Sequence, residues 1–332
     1  MTDPAALRRR RAAAQRLGAA DGPPAATVAH LLAVQAQNLR AARLALRARG
    51  AAARAADVDA ALAEDRAVVI TWLMRGTLHL IAREDLPWLH ALTAGQTAAT
   101  TRRRLPQLGV GEAAAERAVA AIERALAEEG PLPRDVLAER MGAQGQAVPH
   151  LLSLAAARGL IVVCGERYAL TRDWLGAPGA AVPDGDAALA ELARRYLRGH
   201  GPATAADLAT WSGLGLRAAR SGLTAIAGEL AQDGELVDLA DREEPQPAPP
   251  RLLPAFDPYL LGWKDRGFAV APEHARRVHP GGGIVRATAV ADGLVVGTWT
   301  MPRGRVVLEP FGAVGEDAFA ADAAAVEAFG AA

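Results

Sequence analysis

Apolar residues at positions 28, 31 and 32 recur at helical spacing directly after the Pro-rich "DGPPAAT" (21–27), so a helix is predicted there with Thr27 as its N-cap. A second helix of Leu and Arg runs to about Arg49, and Asp57 is the predicted cap of a third. The period then changes. "VVITWLMRGTLHLI" (68–81) places β-branched and aromatic residues on both sides of "RGT", which predicts strand, turn and strand. The same order recurs twice. "EAAAERAVAAIERALAEEG" (112–130) reads as a helix closed by Gly130. "LPRDVLAERMG" and "QAVPHLLSLAAARG" supply two more helices, and "LIVVCGERYALT" a strand pair turning at Gly165. Beyond a Pro/Gly/Asp-rich linker, "GAPGAAVPDGD" (176–186), residues 187–230 rebuild three helices and "GELVDLAD" a strand. After the polyproline-like "EEPQPAPP" (243–250), residues 283–310 alternate like antiparallel strands, with Asp292-Gly293 as a hairpin turn.

Three helices followed by a β-hairpin is the winged-helix order. The expected fold is therefore mainly α with small β-hairpin wings (α+β): tandem winged-helix units and a C-terminal β-rich domain. The expected boundaries are 1–108, 109–176, 177–246 and 247–332.

Composition narrows the chemistry. The 332 residues are 51% apolar but only 4% aromatic, so the cores are built from Ala, Leu and Val. Cys164 is the single cysteine, which leaves no intrachain disulfide or cysteine-built zinc or iron–sulfur site. Without a charged-then-apolar leader or an apolar run of membrane length, the chain is expected to be soluble and cytoplasmic. The net charge is zero, yet residues 1–56 hold ten arginines against Asp3 and Asp21. Such asymmetry suggests a positive face for an anionic partner, or more simply a solvated basic terminus.

Two glutamines interrupt this basic region in "LLAVQAQNLRAARLALRARG" (31–50). In a continuous helix, Gln35 and Gln37 would point to different faces. In an extended link, i and i+2 point the same way and could hold one water. Asn38 is a good N-cap for the following helix, so the helix is expected to break around 36–38. The plainer alternative is two ordinary glutamines on a helix.

Five blocks in order, "LLAVQAQNLRAA", "TWLMRGTLHLI", "GPATAADLATWSGL", "LLPAFDPYLLGWKDR" and "RATAVADGLVVGTW", resemble the AlkZ/YcaQ-type DNA glycosylases across about residues 28–312. The resemblance implies a bacterial tandem winged-helix enzyme that removes alkylated purines. It places that family's catalytic motif, Gln-x-Gln or Gln-x-Asp with an aliphatic middle residue, on Gln35 and Gln37 in the Gln-x-Gln form. Where the family often continues with an acidic residue and proline, this chain has Asn38 and Leu39. A cationic N7- or N3-alkylpurine leaves without protonation, so two amides that hold a water at C1′ suffice. Lys264 is the only lysine, which favours hydrolysis over Schiff-base lyase chemistry. The expectation is a monofunctional, cofactor-free and metal-free monomer acting on double-stranded DNA with alkylated purines, including bulky or cross-linking adducts. The alternative is a non-catalytic winged-helix DNA-binding protein.

Expected DNA contacts are Asn38, Arg40 and Arg43 beside the motif, Arg75 and Thr77 at the first wing, Arg102 and Arg103, and Lys264 and Arg266 in "WKDR". "LPQLGVGEAAAERA" (105–118) superficially resembles a helix-hairpin-helix phosphate loop, but equally serves as the entry to a helix. His274 and His279 lack nearby ligands for a metal site, and "PGGGI" (280–284) is expected to be a turn.

Overall fold

The computed structural model describes residues 3–18, 22–176, 183, 185–243, 245, 247–312 and 315–329. Most of the linker predicted at 176–186 lies outside them. The chain begins with α1 (Pro4–Ala14) and α2 (Pro24–Leu31), followed by the short strand β1 (Val34–Gln35) and then α3 (Leu39–Arg47) and α4 (Ala55–Ala63). The first hairpin is β2 (Val68–Trp72) with β3 (Leu78–Ala82), and α5 (Leu86–Arg104) follows it. Next come α6 (Glu112–Glu129), β4 (Leu132–Pro133), α7 (Arg134–Arg140), α8 (Ala147–Ala157), β5 (Ile161–Cys164), β6 (Arg167–Leu170) and α9 (Thr171–Leu175). Then α10 (Gly185–His200), α11 (Ala205–Ser212) and α12 (Leu216–Ala225) lead to β7 (Leu230–Asp233) and β8 (Leu236–Leu239). The C-terminal part holds β9 (Arg251–Leu253), α13 (Pro258–Leu261), α14 (Ala275–Val278), β10 (Thr288–Ala291), β11 (Leu294–Thr300), β12 (Val307–Pro310) and α15 (Ala320–Phe329).

The fold mixes α and β as expected, and most elements fall where the pattern put them. Two caps differ. α2 starts at Pro24, because a proline in the first turn needs no amide partner and arrives with a helical φ. Thr27 is therefore a buried residue inside α2 and not its cap. Asp57 caps α4 from within its first turn, accepting from Ala53 N at 3.0 Å and Arg54 N at 2.8 Å.

The chain divides into two compact units, Met1–Val58 with Leu189–Ala332, and Asp59–Ala188. In the second, the strands run β3-β2-β5-β6-β4, and Ile70 opposite Val163 joins the two hairpins. α5 buries Trp88, Leu89, Thr93, Thr97 and Thr101. Its threonine hydroxyls find partners: Thr97 donates to Leu73 O at 3.2 Å, and Thr101 meets Ser153 Oγ at 3.3 Å.

In the first unit the C-terminal strands form an antiparallel sheet ordered β12-β11-β10-β9. Asp292 (φ 45°) and Gly293 (φ 76°) make the β10–β11 turn. Leu44 of α3 shares a core with Leu252, Ala289, Trp299, Phe319, Val326 and Phe329. Arg47 of α3 grips Asp322 of α15 with two hydrogen bonds, 2.9 and 3.0 Å, and Asp322 also accepts from Leu252 N. The helix that follows the two glutamines is thus held on the sheet by both packing and charge.

Candidate active site: an extended link carrying two glutamines

The helix break is longer than the sequence suggested and starts earlier. α2 ends at Leu31, and Leu32 turns the chain with φ 67° and ψ −41°. A left-handed φ on a leucine costs roughly 1–3 kcal/mol. Leu32 is fully buried, and burying a leucine is worth about 1.5–3 kcal/mol, enough to hold the turn. The backbone then extends through β1, and Asn38 (φ −120°, ψ 107°) opens α3 by accepting from Ala41 N at 3.1 Å. Residues 32–38 are non-helical throughout.

Extension does what the alternation requires. Ala36 is buried, while Gln35 is half-buried and Gln37 exposed on the other side of the backbone. Gln35 Nε2 donates to Gln37 Oε1 at 2.9 Å, so the two amides are held together in one orientation. Gln35 Oε1 and a second lone pair on Gln37 Oε1 remain as acceptors for a water.

The arginines around this link are not one positive face. Arg9 pairs with Asp292 (3.0 Å), Arg10 with Asp238 (3.2 Å), Arg11 with Asp207 (3.7 Å), Arg47 with Asp322, Arg49 with Asp257 (2.8 Å) and Arg54 with Asp57 (3.1 Å). A charge count along residues 1–56 misses the carboxylates that the fold brings from residues 207–322. Arg11 also stacks between Trp263 and Phe268, 4.7 and 4.4 Å from their ring centres, and burial lowers its pKa. Close to the glutamines in sequence are Arg40, exposed and touching Met301 Sδ at 3.0 Å, and the half-buried Arg43.

The glutamine link lies within the stretch of chain that a known family matches. The family model for "DNA glycosylase AlkZ-like" matches residues 28–332. The chain belongs to the AlkZ-like DNA glycosylase family. A relative described as an interstrand DNA cross-link repair glycosylase, from Streptomyces sahachiroi, is 29% identical over 318 residues, covering 86% of this chain and 84% of that protein. The solved structure of Streptomyces sahachiroi DNA glycosylase AlkZ has the same fold, with a TM-score of 0.79 at 24% identity, covering 99% of this chain and 97% of that one.

Within this AlkZ-like chain the other candidate residues fall in both units. Lys264 is exposed in the first unit, its backbone N donating to Asp207 Oδ1 at 2.9 Å. Arg266 is half-buried, donates to Leu260 O at 2.6 Å, and has its pKa lowered by burial. In the second unit "RGT" forms the β2–β3 turn, with Arg75 exposed at φ 57° and Thr77 Oγ1 bonded to Met74 O at 3.3 Å. Arg102 and Arg103 are exposed on the last turn of α5.

Gly109 closes a short helical turn and Gly111 caps α6, so "LPQLGVG" serves as an entry to a helix. "PGGGI" is a turn with positive φ at its three glycines. His274 packs against Phe311, and the described residues hold no group of three metal-ligating side chains. No signal in the sequence marked Met301 as a neighbour of Arg40, because the two are 261 residues apart.

Proposed function

We propose that this family member is a monofunctional glycosylase for alkylated purines in duplex DNA. Its substrates are of the N7-alkylguanine type and include bulky or cross-linking adducts, as the name of the Streptomyces relative suggests. The observation that carries this is the mutual hydrogen bond of Gln35 and Gln37 on a non-helical link. Their free carbonyl lone pairs hold a water below C1′. The water oxygen forms the new C1′–O bond as the N-glycosidic bond breaks. The electron pair leaves with the cationic purine, which becomes neutral, and the water's proton passes to solvent. Neither amide has to accept a proton, which suits a base already activated by alkylation.

The open position of Gln37 supports acceptance of large adducts. Three helix–hairpin repeats support the winged-helix reading of the fold, with the C-terminal strands as a separate β-rich region. Hydrolysis without lyase activity, a monomeric state and a cytoplasmic location belong to the same proposal. Lys264, the only lysine, would be the sole side-chain amine for a Schiff base.

The test is single-turnover release of N7-methylguanine and of a bulkier guanine adduct from modified duplex. Gln35→Ala and Gln37→Ala should each slow release by about 10²–10³ while binding damaged DNA almost normally. The double variant should lose less than the product of the two, because the pair acts as one unit. Release at the wild-type rate by both single variants would leave the chain a DNA-binding protein whose glutamines are not catalytic.

A further inference from the structure

α11 and α12 are joined by three residues, and glycines supply the two left-handed positions, Gly213 at φ 75° and Gly215 at φ 87°. This short turn is that of a helix-turn-helix, whose second helix enters a DNA groove. α12 is fixed against α10 at Gly222, where a Cβ would lie 2.4 Å from Leu189 O. Its outward face is therefore set. Arg217, Arg220, Ser221 and Thr224 follow the i, i+3, i+4, i+7 pattern, and all four are exposed.

α12 contains no acidic residue. Unlike most arginines of the N-terminal region, Arg217 and Arg220 make no hydrogen bond or ion pair among the described residues. Leu216, in the first turn of the same helix, is one of three large apolar side chains left exposed among the described residues. The neighbouring β7–β8 hairpin is different. Its tip exposes Asp233 and Glu235 and carries no cation, so it would repel a phosphate backbone.

α10 shows how far this face is from the glutamines. Leu189 meets α12, while Gly199 meets His30 and Leu31 at the end of α2. Ten helical residues separate those two contacts by about 15 Å.

We propose that the outward face of α12 is a second duplex-DNA contact of this protein, with Arg217 and Arg220 binding backbone phosphates and Leu216 packing on the groove wall. The proposal rests on the reading that the chain works on DNA, but not on which base it removes.

Binding of an undamaged duplex, measured between about 50 and 200 mM salt, tests it. Replacing both by alanine, Arg217→Ala with Arg220→Ala, should reduce the log–log salt slope by about 1.8, at about 0.9 per phosphate contact. Arg217→Lys with Arg220→Lys should keep the wild-type slope and shows that the helix is intact. An alanine pair that binds duplex with the wild-type slope overturns the assignment. A wild-type protein that binds no duplex at all overturns the reading beneath it as well.

Discussion

Arg49 and Asp257 form an ion pair with both side chains wholly out of water, at 2.8 and 3.0 Å. Arg49 also donates to Gln15 Oε1 and Ala45 O, both at 2.8 Å, and Asp257 accepts from Tyr259 N at 2.9 Å. Arg49→Met keeps an apolar stem of similar reach but leaves the Asp257 carboxylate buried with a single amide donor. Breaking one side of such a pair typically costs about 3–5 kcal/mol. The first unit holds about 200 residues, so each kcal/mol lowers Tm by about 2–4 °C and the expected fall is about 6–20 °C. Asp257→Leu should act in the same direction, since it strands the guanidinium. The double variant strands no charge, and apolar replacement of a whole buried pair is often near neutral. Its destabilisation should fall short of the sum of the single effects by about 3 kcal/mol or more. Urea and thermal unfolding followed by circular dichroism measure all three variants. Additive single effects, or a Tm loss below about 3 °C for Arg49→Met, would refute the reasoning.

Reversing Arg40 and Arg43 to Glu should weaken binding of damaged and undamaged duplex alike, with a shallower salt dependence, whereas Arg9→Ala, which breaks an exposed pair with Asp292, should leave affinity unchanged. Equal affinities for wild type and the double reversal would move the DNA-binding face away from the glutamine link. Burial holds the imidazole of His30 at about 4 and those of His79 and His200 at about 3, so the unfolded chain binds more protons below the ordinary histidine value of 6.5. Stability should be full above about pH 6.5 and fall as pH drops through that value toward 4, and a Tm that stays flat from about pH 7.5 to 5 would count against this.

What the sequence showed and what it hid have the same physical origin. Periodicity located α6, α8 and the β2–β3 and β5–β6 hairpins because their buried positions are apolar. It missed α5, whose buried stripe at 93, 97 and 101 is threonine and depends on hydroxyl partners elsewhere in the second unit. It missed α1, which carries four successive arginines and buries one of them, Arg11, against aromatic rings. The two glutamines were legible as a pair because spacing alone decides whether they can share a face. The start of their link was not. Leu32 has an ordinary helical sequence context, and only its burial in the tertiary core holds its left-handed φ.

The charge pattern shows why that link is the place to put neutral amides. The arginines about it are mostly spent on structure: Arg47 and Arg49 clamp α3 to Asp322 and Asp257, and Arg9, Arg10 and Arg11 tie α1 to Asp292, Asp238 and Asp207. These pairs fix α1 and the α3 region without adding net charge. A carboxylate at 37, three residues before Arg40, would be drawn to a guanidinium as well as to a water. Glutamine avoids that competition. It offers the same carbonyl acceptor without a charge, and each amide's NH2 can be used to hold its neighbour, as Gln35 Nε2 holds Gln37 Oε1. In the proposed reaction the leaving purine already carries the positive charge that a general acid would otherwise supply. On that reading position is the main thing left for the protein to provide, and an extended link between α2 and α3 suits it.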